Sequence, residues 1–244
     1  MARNIGPSIV RDNLVLCLDA ANTKSYPGSG TAWTDISGNG NNAILTHSPT
    51  HTSGSGGYFT FDGANDYATI TDSSDFLMGT GSFTEEAWHK RGGNTTWEVP
   101  MLRGKASAFA SSGGWGGLWI NDSGGGEFNP YHYTESSGYI SFDSNDAAGT
   151  DWMHHVTTTT NTGSSVIIKV YKNSVLQGSQ TTSVSGWQPL GTSVGDDDVY
   201  IGGIPTQPYW YEGKIAICRL YKGKALTAAE VKQNYNATKG RFGL

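Results

Sequence analysis

Disulfide chemistry has almost no material here: cysteine occurs at positions 17 and 218 and nowhere else in 244 residues, too few for a cystine framework. Cys17 and Cys218 sit in the strand-like runs nearest the two ends. One bond between neighbouring strands stays open beside two buried free thiols, the outcome that reducing synthesis favours. Charge is scarce too, at 15% of residues, and its balance is acidic, with a net charge of −5 and a pI near 5.6. No basic stripe stands out, which disfavours nucleic-acid binding. No apolar run reaches the roughly 18 residues of a spanning helix, so no membrane segment is expected. The stretch Met1-Ala2-Arg3-Asn4-Ile5-Gly6-Pro7 has no apolar signal region, which leads us to expect cytoplasmic synthesis without a signal peptide. No internal repeat and no interior linker divides the chain, which reads as one domain.

What is plentiful is glycine, 34 residues of it, and aromatic side chains at 11%. Between them run short apolar or alternating segments bounded by Gly, Ser, Asn and Asp, the pattern of an antiparallel sandwich. Strands are predicted over 14–20, 58–62, 67–70, 83–90, 101–103, 117–120, 139–142, 152–160, 166–173, 174–179, 199–203 and 213–221. The runs 58–62 and 67–70 read as a hairpin turning at Gly63, and 166–179 as a hairpin over Lys172–Ser174. In the run Phe83–Lys90 neither face is purely apolar. Trp88 should be buried, and Glu86 should need a polar partner. Thr227 and Glu230 have capping-box spacing and predict a helix through about Tyr235. The expected layout is an N-terminal arm over 1–13, a single jelly-roll β-sandwich over 14–235 and a tail over 236–244.

Phe61 through Tyr67, Phe83 through Trp88, Trp152 through Val156, Val170 through Asn173, Tyr200 through Gly202 and Gly213 through Leu226 together resemble the laminin-G-like or concanavalin A-like jelly-roll superfamily. The resemblance implies an all-β, antiparallel jelly-roll sandwich with a short C-terminal helix. The chain departs from it at Ala216, where relatives commonly carry Asp, and at His89, where an aliphatic residue is usual. Met1 through Val10, Lys24 through Gly28 and Asn234 through Gly243 resemble jelly-roll proteins of tailed, often marine, bacteriophages. That second resemblance implies a non-enzymatic virion structural protein, a capsid decoration or cement protein or a tail or fibre component. The expected partners are then other virion proteins, a major capsid or tail protein, and further copies in a symmetric homo-oligomer, a trimer first. The alternative is a carbohydrate-binding adhesin for a host-surface polysaccharide.

Hydrolases of this broad fold need two carboxylates flanking the scissile bond. Glu85 and Glu86 are adjacent on one strand and point to opposite faces, so they cannot form that pair, and no enzyme is expected. His154 and His155 are opposed in the same way and cannot share a metal; one core and one surface histidine is the expectation. Neighbouring families bind calcium, and Asp62, Asn65 and Asp66 form one oxygen-rich turn, Asp196–Asp198 another. No cofactor is required, and Ca²⁺ at Asp62, Asn65 and Asp66 stands against a plain Asx turn. For glycan stacking the candidates are Trp115, Trp119, Tyr131, Tyr133, Tyr209, Trp210 and Tyr211, all in Gly- or Pro-rich regions. The competing role for the same rings is pinning loops or forming a subunit contact.

Overall fold

The computed structural model describes residues 7–93, 97–104, 115–121, 127–134, 138–141, 149–183 and 198–244. In chain order the strands are β1 (Leu14–Asp19), β2 (Ala32–Trp33), β3 (Ala43–Thr46), β4 (Thr50–Thr52), β5 (Tyr58–Asp62), β6 (Tyr67–Ile70), β7 (Phe83–Arg91) and β8 (Glu98–Arg103). There follow β9 (Trp115–Asn121), β10 (Glu127–Thr134), β11 (Gly138–Ser141), β12 (Met153–Asn161), β13 (Ser165–Lys172), β14 (Val175–Ser183), β15 (Val199–Ile201) and β16 (Glu212–Lys222), then the helix α1 (Ala228–Thr238). The first sheet has the order β14-β13-β12-β7-β16-β5-β4, with β1 beside the second half of β16. The second sheet runs β11-β10-β9-β8-β15-β6-β3-β2. Neighbouring strands are antiparallel throughout, as expected for a jelly-roll sandwich.

Alternation along each strand sends one set of side chains into the space between the sheets. Phe83, Ala87, Ile168, Val170, Ile215 and Leu220 come from the first sheet and meet Leu118, Ile120, Phe128, Ile201, Ala68 and Ile70 from the second. Each large apolar side chain buried there contributes about 1.5–3 kcal/mol. The first sheet is also covered on its outer face, by α1, residues 8–13 and the turn Lys239–Phe242. Phe242 stacks on Trp88 at 4.3 Å, and Tyr235 stacks on the same ring at 5.7 Å. Strand β7 is therefore buried on both faces, and polar residues on either side of it need partners inside the fold.

Several expectations need correction. Strands β5 and β6 do not pair: β5 lies between β16 and β4 in the first sheet, and β6 between β15 and β3 in the second. The turn at Gly63 is an arch from one sheet to the other. The register Leu18↔Cys218 offsets the two cysteines by one residue, so Cys17 faces outward and Cys218 inward, and both are free and buried. The two ends, expected as an arm over 1–13 and a tail over 236–244, are packed on the sandwich over residues 8–13 and 236–242. Val10 N–H donates to Asn234 Oδ1 at 2.8 Å, Gln233 donates to the Ser8 carbonyl at 2.7 Å, and Arg241 pairs with Asp19 at 2.8 Å. The capping box at Thr227 and Glu230 is present, and α1 runs on to Thr238. The predicted hairpin at residues 172–174 forms, with Asn173 and Ser174 both at positive φ between β13 and β14.

Candidate functional site

An aromatic cluster lies on the outer face of the second sheet. Val99 and Leu102 of β8, Trp119 of β9 and Tyr200 of β15 turn away from the core there and form its floor. A kink in register between Glu98 and Met101 sets the phase that puts Val99 and Leu102 on the same side. Partly exposed Tyr67, Trp97 and Tyr209 pack on this floor. Trp97 and Tyr209 both meet Trp119 edge-on, at 5.9 and 5.2 Å, and Trp210 lies 6.1 Å from Tyr67.

Tyr209 and Trp210 arrive on the crossing segment from β15 to β16. Its course depends on Gly203, at φ +155°, where an added Cβ would fall inside the Trp210 ring. Tyr211 N–H donates to the Gly202 carbonyl at 2.9 Å, closing the segment before β16 begins. Consecutive residues point oppositely, so Tyr211 turns inward. It is fully buried, and its hydroxyl lies 3.0 Å from His89 Nδ1.

Of the seven aromatic candidates, then, Trp119, Tyr209 and Trp210 are brought together. Tyr211 is excluded by burial. Trp115, Tyr131 and Tyr133 belong to the same β9–β10 ladder, Tyr133 in register with Trp115 and Tyr131 with Gly117. Their side chains lie outside the described residues. Tyr67, Trp97 and Tyr200 were missed. Tyr67 and Tyr200 alternate with core residues and so were legible as outward-facing; Trp97 stands at the start of β8 with no pattern to mark it.

The arch at Asp62, Asn65 and Asp66 is built by its own hydrogen bonds. Asp62 Oδ1 accepts from the N–H groups of Ala64, Asn65 and Asp66, at 2.9, 3.1 and 3.3 Å. Burial pushes the Asp62 carboxyl up, but those amides outweigh it and hold it below the usual range. Asp66 is nearly buried, and burial and the Asp62 charge push its carboxyl up. Calcium wants about six to eight converging oxygens, and here Asp62 Oδ1 is already taken by three backbone amides. Asp196 and Asp197 lie outside the described residues, and Asp198 receives the Asp72 N–H at 2.9 Å.

Glu85, Glu86, His154 and His155 are sealed inside. Glu85 faces the intersheet core, where burial raises its carboxyl to about 7 against the opposing pull of Arg103. His132 Nε2 lies 3.9 Å from it. Glu86 faces α1 and is paired with Arg219. His154 Nε2 is 2.9 Å from Glu86 Oε1, and Asn234 Nδ2 donates to Oε2 at 2.6 Å. Burial alone would raise Glu86; Arg219, His154 and Asn234 together outweigh it and hold the carboxyl at about 2. Glu86 thus has the partners its place on β7 demanded. Neither His154 nor His155 is at the surface. The first lies against Glu86 and stacks on Trp88, and the second packs between Phe128 and His89 in the intersheet core. Ala216 sits in the register shift of β16 and is buried beside Trp88 and Ile217.

The profile of one family, described as the Concanavalin A-like lectin/glucanases superfamily, matches residues 62–232. No curated protein matches the chain in sequence. The binding domain of Paraclostridial Mosquitocidal Protein 1 superposes with a TM-score of 0.67 at 13% identity, over 92% of this chain and 52% of that one. Domain 4 of an extracellular arabinanase from Geobacillus stearothermophilus, solved in complex with arabinotriose, gives 0.67 at 18% identity, over 91% of this chain and 98% of that one. The botulinum neurotoxin serotype D ligand binding domain, in complex with N-acetylneuraminic acid, gives 0.67 at 13% identity, over 93% and 51%. The chain spans about half the length of the two toxin chains and nearly all of the arabinanase domain. At such identities the likeness is one of fold.

Proposed function

The chain belongs to the concanavalin A-like lectin/glucanase superfamily, and from that premise we propose that it is a non-catalytic carbohydrate-binding domain whose glycan lies across the outer face of the second sheet. The observation that carries this is the partly exposed set Tyr67, Trp97, Tyr209 and Trp210 over the Trp119 and Tyr200 floor. Flat rings offer a sugar its apolar face, and sites of this kind are mostly apolar with a few polar groups that orient the ligand. Glycans in complex with two domains of like fold support the same choice. Glu85 and Glu86, sealed on opposite sides of β7, support binding rather than hydrolysis.

Calorimetry of the chain with a panel of neutral oligosaccharides that includes arabinotriose tests it. Trp210→Ala and Tyr209→Ala should each cost about 2 kcal/mol, roughly thirtyfold in affinity, as anchoring aromatics do. Binding that survives both substitutions, or no binding across the panel, overturns the proposal. A second reading, a decoration, tail or fibre protein of a tailed bacteriophage, is supported by the resemblance of residues 1–10, 24–28 and 234–243. Purified particles carrying this chain in stoichiometric copies would favour it, and the two roles can coexist.

A further inference from the structure

A groove of about 510 Å³ opens on the outer face of the first sheet, on the opposite side of the sandwich from the aromatic patch. Thr60, Asp62, Lys90, Thr150, Glu212 and Lys214 line it. Lys214 stands directly between Thr60 of β5 and Lys90 of β7 in the ladder. Residues directly opposite share a face with their Cβ atoms roughly 5 Å apart, and like charges so placed repel. Among the described residues no carboxylate pairs with either lysine. Lys214 instead reaches the Tyr58 hydroxyl at 3.3 Å and sits over its ring at 4.6 Å.

Two residues along, Glu212 stands opposite Asp62 on the same face. The Glu212 side chain runs between Gly63 and Gly92, where a Cβ on either would approach it to 2.9 Å. Those glycines leave room for an acid at the mouth of the groove. A row of two ammonium groups therefore lies beside a row of two carboxylates. A neutral sugar can donate its hydroxyls to the carboxylates but offers the lysines only uncharged hydroxyl oxygens and no counter-charge. A sugar that carries its own carboxylate satisfies both rows.

We propose that this groove is a second ligand site and takes an acidic sugar residue of a glycan. Its carboxylate sits between Lys90 and Lys214, and its hydroxyls donate to Glu212 and to the Thr150 hydroxyl. The site is independent of the aromatic face and stands or falls without it.

The test titrates the full chain with trigalacturonate and with its methyl ester, at low salt and at about 0.5 M NaCl, where charge attraction is screened within a few ångströms. The acid should bind about tenfold tighter than the ester, and the difference should vanish in high salt. Lys90→Gln and Lys214→Gln should each weaken the acid about fivefold or more, while Trp210→Ala leaves it unchanged. Equal binding of acid and ester overturns the proposal, as does no binding of either at about 10 mM. So does binding of the acid that is lost in Trp210→Ala but kept in the lysine variants. The acid–ester contrast on the unaltered chain decides the matter even where a lysine variant folds poorly. Neutral-glycan binding at the aromatic face is read separately by Trp210→Ala.

Discussion

Acid should unfold this domain steeply, and buried histidines set the slope. His89 and His132 lie in the intersheet core, where burial, and then the charges of Arg91, His154 and Lys172 for His89 and of Arg103 for His132, hold their pKa values near 3. His155 is held well below its ordinary value of 6.5 by burial and by His89, His154 and Lys172. All three are neutral in the folded chain and take up protons on unfolding. The stability they confer is fully present above pH 6.5 and is lost as pH falls from there toward 3. Glu85 acts in the opposite sense. Raised to about 7 from 4.5, it binds its proton more tightly when folded, so its contribution is full below pH 4.5 and is lost as pH rises through 7. Between pH 6.5 and 4.5 the three histidines gain three protons on unfolding and Glu85 gives up one, a net of two from these four groups. At about 1.4 kcal/mol per proton per pH unit, stability falls by about 3 kcal/mol per unit, and by about 6 kcal/mol across the interval. That is a large share of the roughly 5–15 kcal/mol that a domain of this kind has. Urea unfolding at half-unit pH steps measures the slope. Neither His155 ring nitrogen has a hydrogen-bond partner among the described residues, and the ring packs on Phe128 at 3.9 Å between centroids. His155→Phe should therefore fold, and should lower the slope by one proton, about 1.4 kcal/mol per unit. An unchanged slope in that variant, or resonances of His89, His132 and His155 titrating near pH 6.5 in the folded chain, would refute the reasoning.

Removing Glu86 while leaving Arg219 buried should cost about 3–5 kcal/mol, so Glu86→Ala should lower the urea midpoint sharply. Because Asn234 Nδ2 also donates to Tyr221 Oη at 2.9 Å, which in turn donates to the Val10 carbonyl, hydrogen exchange should accelerate at residues 8–13 and in α1 of that variant. Gly203→Ala forces an unfavourable φ and displaces Trp210. About 1–3 kcal/mol of stability and a parallel loss of glycan affinity are expected, read by thermal unfolding and calorimetry. Chelator should leave the melting temperature unchanged, because Asp62 Oδ1 closes the turn on the amides of Ala64, Asn65 and Asp66 by itself; a drop of several degrees would mark a bound ion.

Strand identity was legible wherever alternation or a capping signal was strong. Phe83–Lys90, Trp152–Thr160, the hairpin at Lys172–Ser174 and the Thr227–Glu230 box all appear where the residues point. Pairing was not. Nothing local in Tyr58–Ile70 distinguishes a hairpin from an arch, because the choice depends on β16 and β15, more than a hundred residues away. Strand β10 escaped notice because Glu127–Thr134 mixes Pro130, Asn129 and aromatics without a period. Tyr211 looked like a third ring of an exposed run because alternation turns it inward only once its N–H is bonded to the Gly202 carbonyl, nine residues back in the chain. His154 reads as surface until α1 is laid over it. The aromatic surface itself was half visible, through Trp119, Tyr209 and Trp210.

The strand that fills the middle of the first sheet is the last one made. Strand β16 pairs with β7 on one side and with β1 and β5 on the other, yet it begins roughly 120 residues after β7 ends. At about 5–20 residues per second, a ribosome leaves β7 and β1 without their shared neighbour for some ten seconds. Through that interval the nascent chain carries open, aromatic-rich edges that can pair with other nascent copies. Commitment to the native sandwich comes in one late step, when β16 slots between strands that have been waiting for it. Long-range closure of this kind makes folding slow for the size of the domain. A chain cut short anywhere before Glu212 would lack the strand that joins β7 to β1 and β5, so the presence of β16 decides whether the first sheet can close.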